Sequence, residues 1–309
     1  MSQRTPAYTG VVPPIVTPMD ANGEIDTASL ERLVDFLVDA GVTGIFALGS
    51  SGESAYLTEA QRDTVLDVIV GAVSGRVPVL AGCIETTTHR ALDRARSAAA
   101  RGADALVATA PFYTRTHPSE IDRHFREIAA RTELPLLAYD VPVSVHSKLD
   151  ADQLLALAAD GVIAGVKDSS GDDPGFRDLV IGARELPEFS VLTGHEAVVD
   201  AMMLMGADGV VPGLGNVDPA GYVRLLQACE KGDWAAAREE QERLIRLFRI
   251  VRAVEPGTAG GSTAGVGAFK CALALLGVID DATPALPMRP FTEVETGRVR
   301  AVLEEVGLL

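Results

Sequence analysis

The chain alternates between short apolar runs and longer runs in which apolar residues recur every three or four positions. The short runs are nearly continuous in Val, Ile, Leu and Ala, a pattern typical of parallel strands covered on both faces. The longer runs are amphipathic: the segment from Thr27 to Ala40 places five Leu and Val residues on one helical face. Eight strands are predicted, at Val11–Thr17, Gly44–Leu48, Val77–Ala81, Ala105–Thr109, Leu134–Tyr139, Val162–Lys167, Phe189–Leu192 and Gly209–Val211.

Eight such units, joined by right-handed crossovers, favour an α/β fold of the (β/α)8 TIM-barrel type. Glycine motifs such as Gly102-Ala103-Asp104 end a helix and turn the chain into the next strand. The competing architecture is a doubly wound open sheet, which usually has a glycine-rich phosphate turn after its first strand. Here that region contains Pro13-Pro14 and Thr17-Pro18 instead, which favours the barrel.

The alternation stops after about residue 225, and helical patterns follow near 232–254, 262–277 and 292–307. We therefore predict a catalytic barrel over residues 1–225 and a three-helix C-terminal extension over residues 226–309. The glycine-rich stretch Gly257–Gly261 is interpreted as a connector with a helix cap, because no strand precedes it as a phosphate cradle would require. Lys270 lies among apolar residues of the second helix and is predicted to extend its amine to solvent.

The formal net charge is −16, which excludes non-specific attraction to nucleic acid or to an anionic membrane. No apolar run is long enough to span a bilayer, and the N-terminus lacks an apolar signal region, so we expect no membrane partner and a cytoplasmic location. The three cysteines have no paired spacing and the five histidines have no metal-ligand spacing. Neither a disulfide framework nor a metal site is predicted.

Polar residues follow several predicted strands, at the ends that meet on one rim of a barrel. The second strand runs into Gly49-Ser50-Ser51-Gly52, the fifth ends at Tyr139, and the sixth ends at Lys167 and is followed by Ser169. Lys167 comes directly after an apolar run, so it is either a solvated strand end or a residue with a chemical task.

Imine formation is the chemistry that suits this set of residues. A lysine amine has a pKa of about 10.4, and burial lowers the pKa of such an amine, which frees it to attack a ketone. We interpret Lys167 as this nucleophile, Tyr139 as the proton carrier and Ser50 as a relay. The loop Gly49–Gly52 offers closely spaced N–H groups and hydroxyls for a carboxylate. Packing of Tyr139 in the core, and a merely flexible loop, are the structural alternatives.

Four motifs together resemble the superfamily of dihydrodipicolinate synthase and N-acetylneuraminate lyase. They are Gly49–Ser54, Tyr139–Pro142, Gly165–Gly171 and Gly206–Gly209, in the same order and at matching strand ends. Members of this superfamily are pyruvate-handling Schiff-base lyases on a (β/α)8 barrel with a C-terminal helical extension. The resemblance covers nearly the whole chain.

The resemblance implies roles for individual residues. Lys167 matches the Schiff-base lysine and Tyr139 the proton-transfer tyrosine, while Ser50 and Ser51 match the hydroxyls that relay protons and hold the pyruvyl carboxylate. Tyr113 matches a tyrosine that reaches the neighbouring subunit's site in many members. The resemblance further implies a homotetramer built as a dimer of dimers, a small keto-acid substrate, and no cofactor beyond the lysine imine.

One position departs from the pattern of true dihydrodipicolinate synthases. These carry an arginine two residues after the proline of the Y-x-V-P motif, where this chain has Ser144. A hydroxyl does not replace a bidentate guanidinium, so condensation with aspartate semialdehyde is disfavoured. We expect instead an aldolase, or alternatively a dehydratase, acting on 2-keto-3-deoxy sugar acids or related 4-hydroxy-2-oxo acids. The segment after Lys167 also differs from that of N-acetylneuraminate lyases.

The residues expected to bind the variable part of the substrate come from several strand ends. They are Ser144, His146, Ser169, His195 and Glu196. Val211, on the eighth predicted strand, is expected to contact the substrate as well. A non-catalytic keto-acid sensor on the same scaffold is the alternative from another functional class. Loss of the lysine or the tyrosine would be its signature, and both residues are present.

Overall fold

Eight short parallel strands lie at the centre of the computed structural model, which describes residues 4–309. The strands are β1 (Gly10–Val11), β2 (Ile45–Ala47), β3 (Val79–Gly82), β4 (Ala105–Thr109), β5 (Leu136–Asp140), β6 (Gly165–Asp168), β7 (Ser190–Thr193) and β8 (Gly209–Val210). Consecutive strands pair from β2 to β8, and β1 pairs with β8. A parallel bridge between Pro14 and Phe46 joins the segment after β1 to β2. The predicted (β/α)8 barrel is confirmed.

The first strand differs most from its prediction. Val11–Thr17 was the expected span, whereas the ladder covers Gly10–Val11. Pro13 and Pro14 have no N–H group to donate, so the chain beyond Val11 makes only isolated contacts with β2. The N–H of Ile15 still donates to the carbonyl of Phe46 at 3.0 Å, which holds this segment against the barrel.

Helices connect the strands and cover the barrel. They are α1 (Thr27–Asp39), α2 (Glu59–Val73), α3 (Thr88–Ala100), α4 (Pro118–Ala129), α5 (Pro142–Val145), α6 (Ala151–Ala159), α7 (Asp173–Ala183), α8 (Val199–Met205) and α9 (Pro219–Glu230). Helix α1 buries Leu30, Leu33 and Leu37 completely, as its amphipathic pattern predicts. Within the described residues 4–309, no helix is both long and apolar enough to cross a membrane.

The extension consists of α10 (Trp234–Phe248), α11 (Ala268–Leu275) and α12 (Glu293–Glu305), which confirms the three helices predicted. Helix α9 runs through residue 225, so the boundary predicted there falls within a helix. A π-helical turn, Thr263–Gly267, leads into α11. Phe269 of α11 packs closely on Gly213 just beyond β8, where an added Cβ would lie 2.8 Å from its ring. The extension therefore reaches the rim formed by the C-terminal strand ends.

Candidate active site

Lys167 lies inside the barrel, with its side chain only 6% exposed. Its amine sits 4.0 Å from the centroid of the Tyr139 ring and 5.1 Å from that of Phe46. Lys167 and Tyr139 are direct partners in the β5–β6 register, so their side chains point to the same face. The alternative of a solvated strand end is wrong, because the amine stands in an aromatic pocket.

Tyr139 is 3% exposed, and its hydroxyl lies 3.4 Å from the hydroxyl of Ser50. Burial is the largest influence on its pKa and raises it, but the charge of Lys167 and hydrogen bonds with Ser50, Lys167 and Ser169 outweigh it. The net effect is a lowered pKa for the Tyr139 phenol. The phenol therefore gives up its proton more readily than a free tyrosine, which suits a proton carrier.

The loop after β2 brings backbone close to this pair. A Cβ on Gly49 would lie 2.7 Å from the Phe46 ring, so only glycine fits there. Two hydrogen bonds close the turn, from the N–H of Glu53 to Ser50 O at 3.1 Å and from the N–H of Ser54 to Gly49 O at 3.4 Å. The N–H groups of Ser51 and Gly52 take no part in these two bonds, and Ser51 is only partly buried. Adjacent N–H groups of this kind bind anions.

Lys270 and Glu53 form a completely buried ion pair at 2.5 Å. The Glu53 carboxylate also accepts from the N–H of Ala285 at 2.7 Å, and Lys270 donates to Thr283 O at 2.9 Å. The prediction that Lys270 extends to solvent is therefore wrong. Its aliphatic stem packs in the core, but its amine is directed towards the carboxylate that ends the Gly49–Glu53 loop. The pair joins α11 to the loop that supports Ser50.

A second ion pair, which sequence reasoning missed, joins the buried residue that follows Tyr139 to a partly exposed lysine. Asp140 is fully buried, and its carboxylate accepts from Lys148 at 2.5 Å and from the N–H of Leu149 at 3.1 Å. Burial raises the pKa of Asp140, opposed by these hydrogen bonds. The Asp140 carbonyl accepts from the N–H of Ser169 at 2.8 Å. The pair thus fixes the end of β5, which carries Tyr139 and accepts from the segment after β6 through Ser169. The Asp140…Lys148 spacing was its only sequence signal.

Ser50 also borders a cavity of about 200 Å³, which we call the distal cavity. Its hydroxyl-bearing lining residues are Ser50, Ser54, Tyr56, Thr109, Ser144 and Ser262. Its other five lining residues are apolar, so no charged side chain of residues 4–309 lines it. Ser144, which the sequence analysis expects to bind the variable part of the substrate, is one of these lining residues. Thr109 and Ser262 were missed, because neither belongs to one of the four motifs.

Several predicted site residues do not line the distal cavity, among them Val211, Tyr113, His146 and His195. Val211 is buried, and its N–H donates to Thr193 O at 2.8 Å, so it packs at the end of β8. Tyr113 is 95% exposed and has a left-handed φ of 67°. His146 is exposed, and His195 is partly buried with its Nδ1 3.5 Å from Asp173. Within this single chain, Tyr113 and the two histidines are not brought to the distal cavity.

Glu196 approaches the Lys167 pocket from the loop after β7. Its carboxylate accepts from the N–H of Leu214 at 2.7 Å, and its carbonyl accepts from the side chain of Gln241 at 3.2 Å. Burial is the dominant influence and raises the pKa of Glu196 to about 7, although the Leu214 N–H and the charge of Lys167 both lower it. Glu196 therefore changes its charge near neutral pH within the electrostatic range of the lysine.

Within residues 4–309, no group of three or more His, Cys, Asp or Glu side chains is arranged to hold a metal ion. The chain matches the model of the dihydrodipicolinate synthetase family over residues 7–306. It belongs to this family. The resemblance drawn from the four motifs is therefore confirmed.

The similar proteins agree with this assignment. A DapA-like lyase of Halobacterium salinarum is 35% identical over 301 residues, covering 97% of this chain and 94% of that protein. The 4-hydroxy-tetrahydrodipicolinate synthase of Laribacter hongkongensis is 36% identical over 241 residues, covering 78% and 82%. The crystal structure of YagE from E. coli K12, a prophage protein of the same family in complex with pyruvate, superposes with a TM-score of 0.91 at 28% identity, covering 98% and 100%. The chain is thus an enzyme of the class I lyase and aldolase type.

In this family member we expect Lys270→Met to lower the free energy of unfolding by about 3–5 kcal/mol, because it leaves the buried Glu53 carboxylate without its cation. Burial already raises the pKa of Glu53 and lowers that of Lys270. Without Lys270, folded Glu53 keeps its proton above the unfolded pKa of about 4.3, so the variant loses stability as the pH rises from there. Denaturant titration at several pH values measures both effects. The exposed control Lys231→Met should unfold like wild type, and a wild-type midpoint for Lys270→Met would contradict the role of the pair.

Glu196→Gln should change the pH profile of the enzyme's turnover. Ionised Glu196 stabilises positive charge at Lys167, so kcat/KM should rise through about pH 7 in wild type. Glutamine still accepts from the Leu214 N–H but does not titrate, so this step should disappear. Steady-state rates measured from about pH 5.5 to about pH 8.5, on both sides of this pKa, test the prediction. The exposed variant Glu31→Gln is the matched control. An unchanged inflection in Glu196→Gln would assign the titration to another group.

Proposed function

We propose that this enzyme cleaves a 4-hydroxy-2-oxo acid, such as a 2-keto-3-deoxy sugar acid, into pyruvate and an aldehyde through an imine on Lys167. The observation that carries the proposal is the buried Lys167 amine, 4.0 Å from the Tyr139 ring, with Ser50 beside the Tyr139 hydroxyl. These groups provide a nucleophile and a proton path at one point of the barrel rim.

The proposed steps begin when the Lys167 amine attacks the ketone at C2 and water leaves, which gives an iminium. The departing water takes its second proton from Tyr139, and the resulting phenolate then accepts the proton of the C4 hydroxyl, with Ser50 as relay, while the C3–C4 bond breaks. The bonding electrons move into the iminium and form an enamine, and C4 leaves as the aldehyde. Protonation of the enamine at C3 and hydrolysis of the imine release pyruvate. Because the imine accepts the electrons, we propose that no metal or organic cofactor is needed.

The pyruvyl carboxylate is assigned to the loop after β2. Its N–H groups at Ser51 and Gly52, together with the Ser50 and Ser51 hydroxyls, supply local donors in a chain of net charge −16. The related YagE was crystallised in complex with pyruvate, which supports a pyruvyl group at the equivalent place here.

The distal cavity favours an uncharged partner aldehyde. Several relatives are 4-hydroxy-tetrahydrodipicolinate synthases, and the aldehyde expected for that reaction carries a second carboxylate. Here Ser144 stands at the cavity wall and no charged side chain of the described residues lines the space. A carboxylate buried there would lack a cation, so a hydroxylated neutral chain fits better.

A panel of 2-keto-3-deoxy acids, read out as pyruvate release, tests the proposed reaction. Pyruvate plus an aldehyde is the expected result. A product that keeps the carbon skeleton of the substrate and has lost one water would show that the enzyme is a dehydratase and not an aldolase. Preferential condensation of pyruvate with aspartate semialdehyde would restore the synthase assignment. Ligand-induced stabilisation without turnover would favour the keto-acid sensor.

We also propose that Tyr113 acts in the site of a neighbouring subunit of a homotetramer. Its 95% exposed ring and left-handed backbone suit a side chain held out towards a second copy. Mixing inactive Tyr113→Phe and Lys167→Arg subunits should restore part of the activity, because one site in each mixed pair then has both native residues. No recovery in verified mixed assemblies would show that Tyr113 does not act across the interface.

A further inference from the structure

The distal cavity has one wall that does not come from the barrel. Ser262 lies just before the π-helical turn Thr263–Gly267, and it lines the cavity together with Ser50 and Ser144. π-Helical turns within helices frequently mark functional sites. The C-terminal extension therefore contributes a hydroxyl to the same space as the strand ends.

The position of Ser262 is set by contacts on both sides of the rim. Helix α11, which continues from the π-helical turn, is tied to the loop after β2 by the buried Lys270–Glu53 pair. The ring of Phe291 packs against Gly267, where a Cβ would lie 2.8 Å from it. These contacts hold the start of α11 against the loop that carries Ser50. Ser262 is exposed and precedes that start by one π-helical turn, at the open side of the cavity.

Thr109 supplies a second, independent observation. It is 2% exposed and pairs with Tyr139 in the β4–β5 register, so its side chain lies beside the tyrosine. Within residues 4–309 its buried hydroxyl has no hydrogen-bond partner, although it lines the distal cavity. Buried hydroxyls are normally paired, so this one is free to bind a group that enters the cavity.

We propose that Ser262 and Thr109 are specificity-determining residues that bind hydroxyl groups on the aldehyde portion of the substrate. The proposal rests on the aldolase function proposed above and narrows its substrate. The cavity of about 200 Å³ has room for roughly six or seven water-sized groups, each of about 30 Å3 in liquid water. The aldehyde portion is therefore short, uncharged and hydroxylated.

Two substrates that differ by one hydroxyl test this assignment. They are 4,5-dihydroxy-2-oxopentanoate and 4-hydroxy-2-oxopentanoate, which yield pyruvate with glycolaldehyde and acetaldehyde respectively. Wild type should prefer the dihydroxy acid in kcat/KM. Ser262→Ala should lower that preference about tenfold, the effect of one lost hydrogen bond, because only the dihydroxy acid carries the additional hydroxyl. Thr109→Val should act in the same direction, and exposed Ser119→Ala should have no effect.

The outcomes separate this inference from the proposed function. Thermal unfolding and pyruvate trapping by borohydride are measured for every variant, and Ser262→Ala should match wild type in both. Equal loss on both substrates, or an unchanged preference in Ser262→Ala, would overturn the specificity role while the aldolase proposal stands. Absence of a trapped pyruvate adduct in wild type would overturn both.

Discussion

Lys167→Arg is expected to abolish carbon–carbon bond cleavage, with a loss of roughly 10⁵-fold or more in kcat. Arginine keeps a positive charge beside Tyr139, but its guanidinium does not condense with a ketone to give an imine. The effect therefore isolates covalent chemistry from electrostatics. Pyruvate release under saturating substrate measures it, and folding is checked by circular dichroism and thermal unfolding.

Lys231→Arg is the matched control, because Lys231 is exposed after α9 and takes no part in the site. It should keep wild-type kcat and KM. A folded Lys167→Arg enzyme with more than about one-hundredth of the wild-type rate would show that a different group carries the reaction.

Tyr139→Phe has the second largest expected effect on activity. We expect kcat to fall by a factor of about 10²–10⁴, the usual contribution of a general acid–base group to the rate. The ring stays beside the Lys167 amine, so the pocket remains filled. Only the hydroxyl that contacts Ser50 is lost. Borohydride should still trap pyruvate on Lys167 in this variant, though more slowly, which distinguishes proton transfer from nucleophilic attack.

Tyr8→Phe controls for loss of a buried tyrosine hydroxyl. Tyr8 is 9% exposed and precedes β1, at the end of the barrel opposite the site. It should retain wild-type turnover. If Tyr139→Phe also turned over at the wild-type rate, Tyr139 would have only a packing role.

The barrel could be predicted because each strand is short, apolar and followed by an amphipathic helix. The same pattern located the site, since parallel strands place their C-terminal ends on one rim and Tyr139 and Lys167 both end strands. The extent of β1 was predicted wrongly, because apolar composition extends through Pro13 and Pro14 but hydrogen-bonding capacity does not.

Lys270 shows what periodicity alone does not reveal. A lysine on the apolar face of a helix either extends to solvent or meets a buried anion, and the two have the same local sequence. The anion here is Glu53, in a loop near the start of the chain. Pairing of this kind depends on tertiary contacts between distant segments.

Thr109 and Ser262 were missed for a related reason. Thr109 ends β4 without any motif around it, and Ser262 follows a glycine-rich connector that the sequence assigns to the extension. Both residues line one cavity only in three dimensions, where the end of β4 and the segment before the π-helical turn meet. The residues proposed for the pyruvyl group follow from motifs, whereas those proposed for the aldehyde portion follow from this placement.

Borohydride reduction in the presence of pyruvate, followed by peptide mass mapping, tests the imine on Lys167 most directly. The chain has only four lysines, Lys148, Lys167, Lys231 and Lys270, so the modified position is readily assigned. We predict one 1-carboxyethyl group per chain, on the peptide that contains Lys167. A fully unmodified Lys167, or an adduct on one of the other three lysines, would contradict the proposed mechanism.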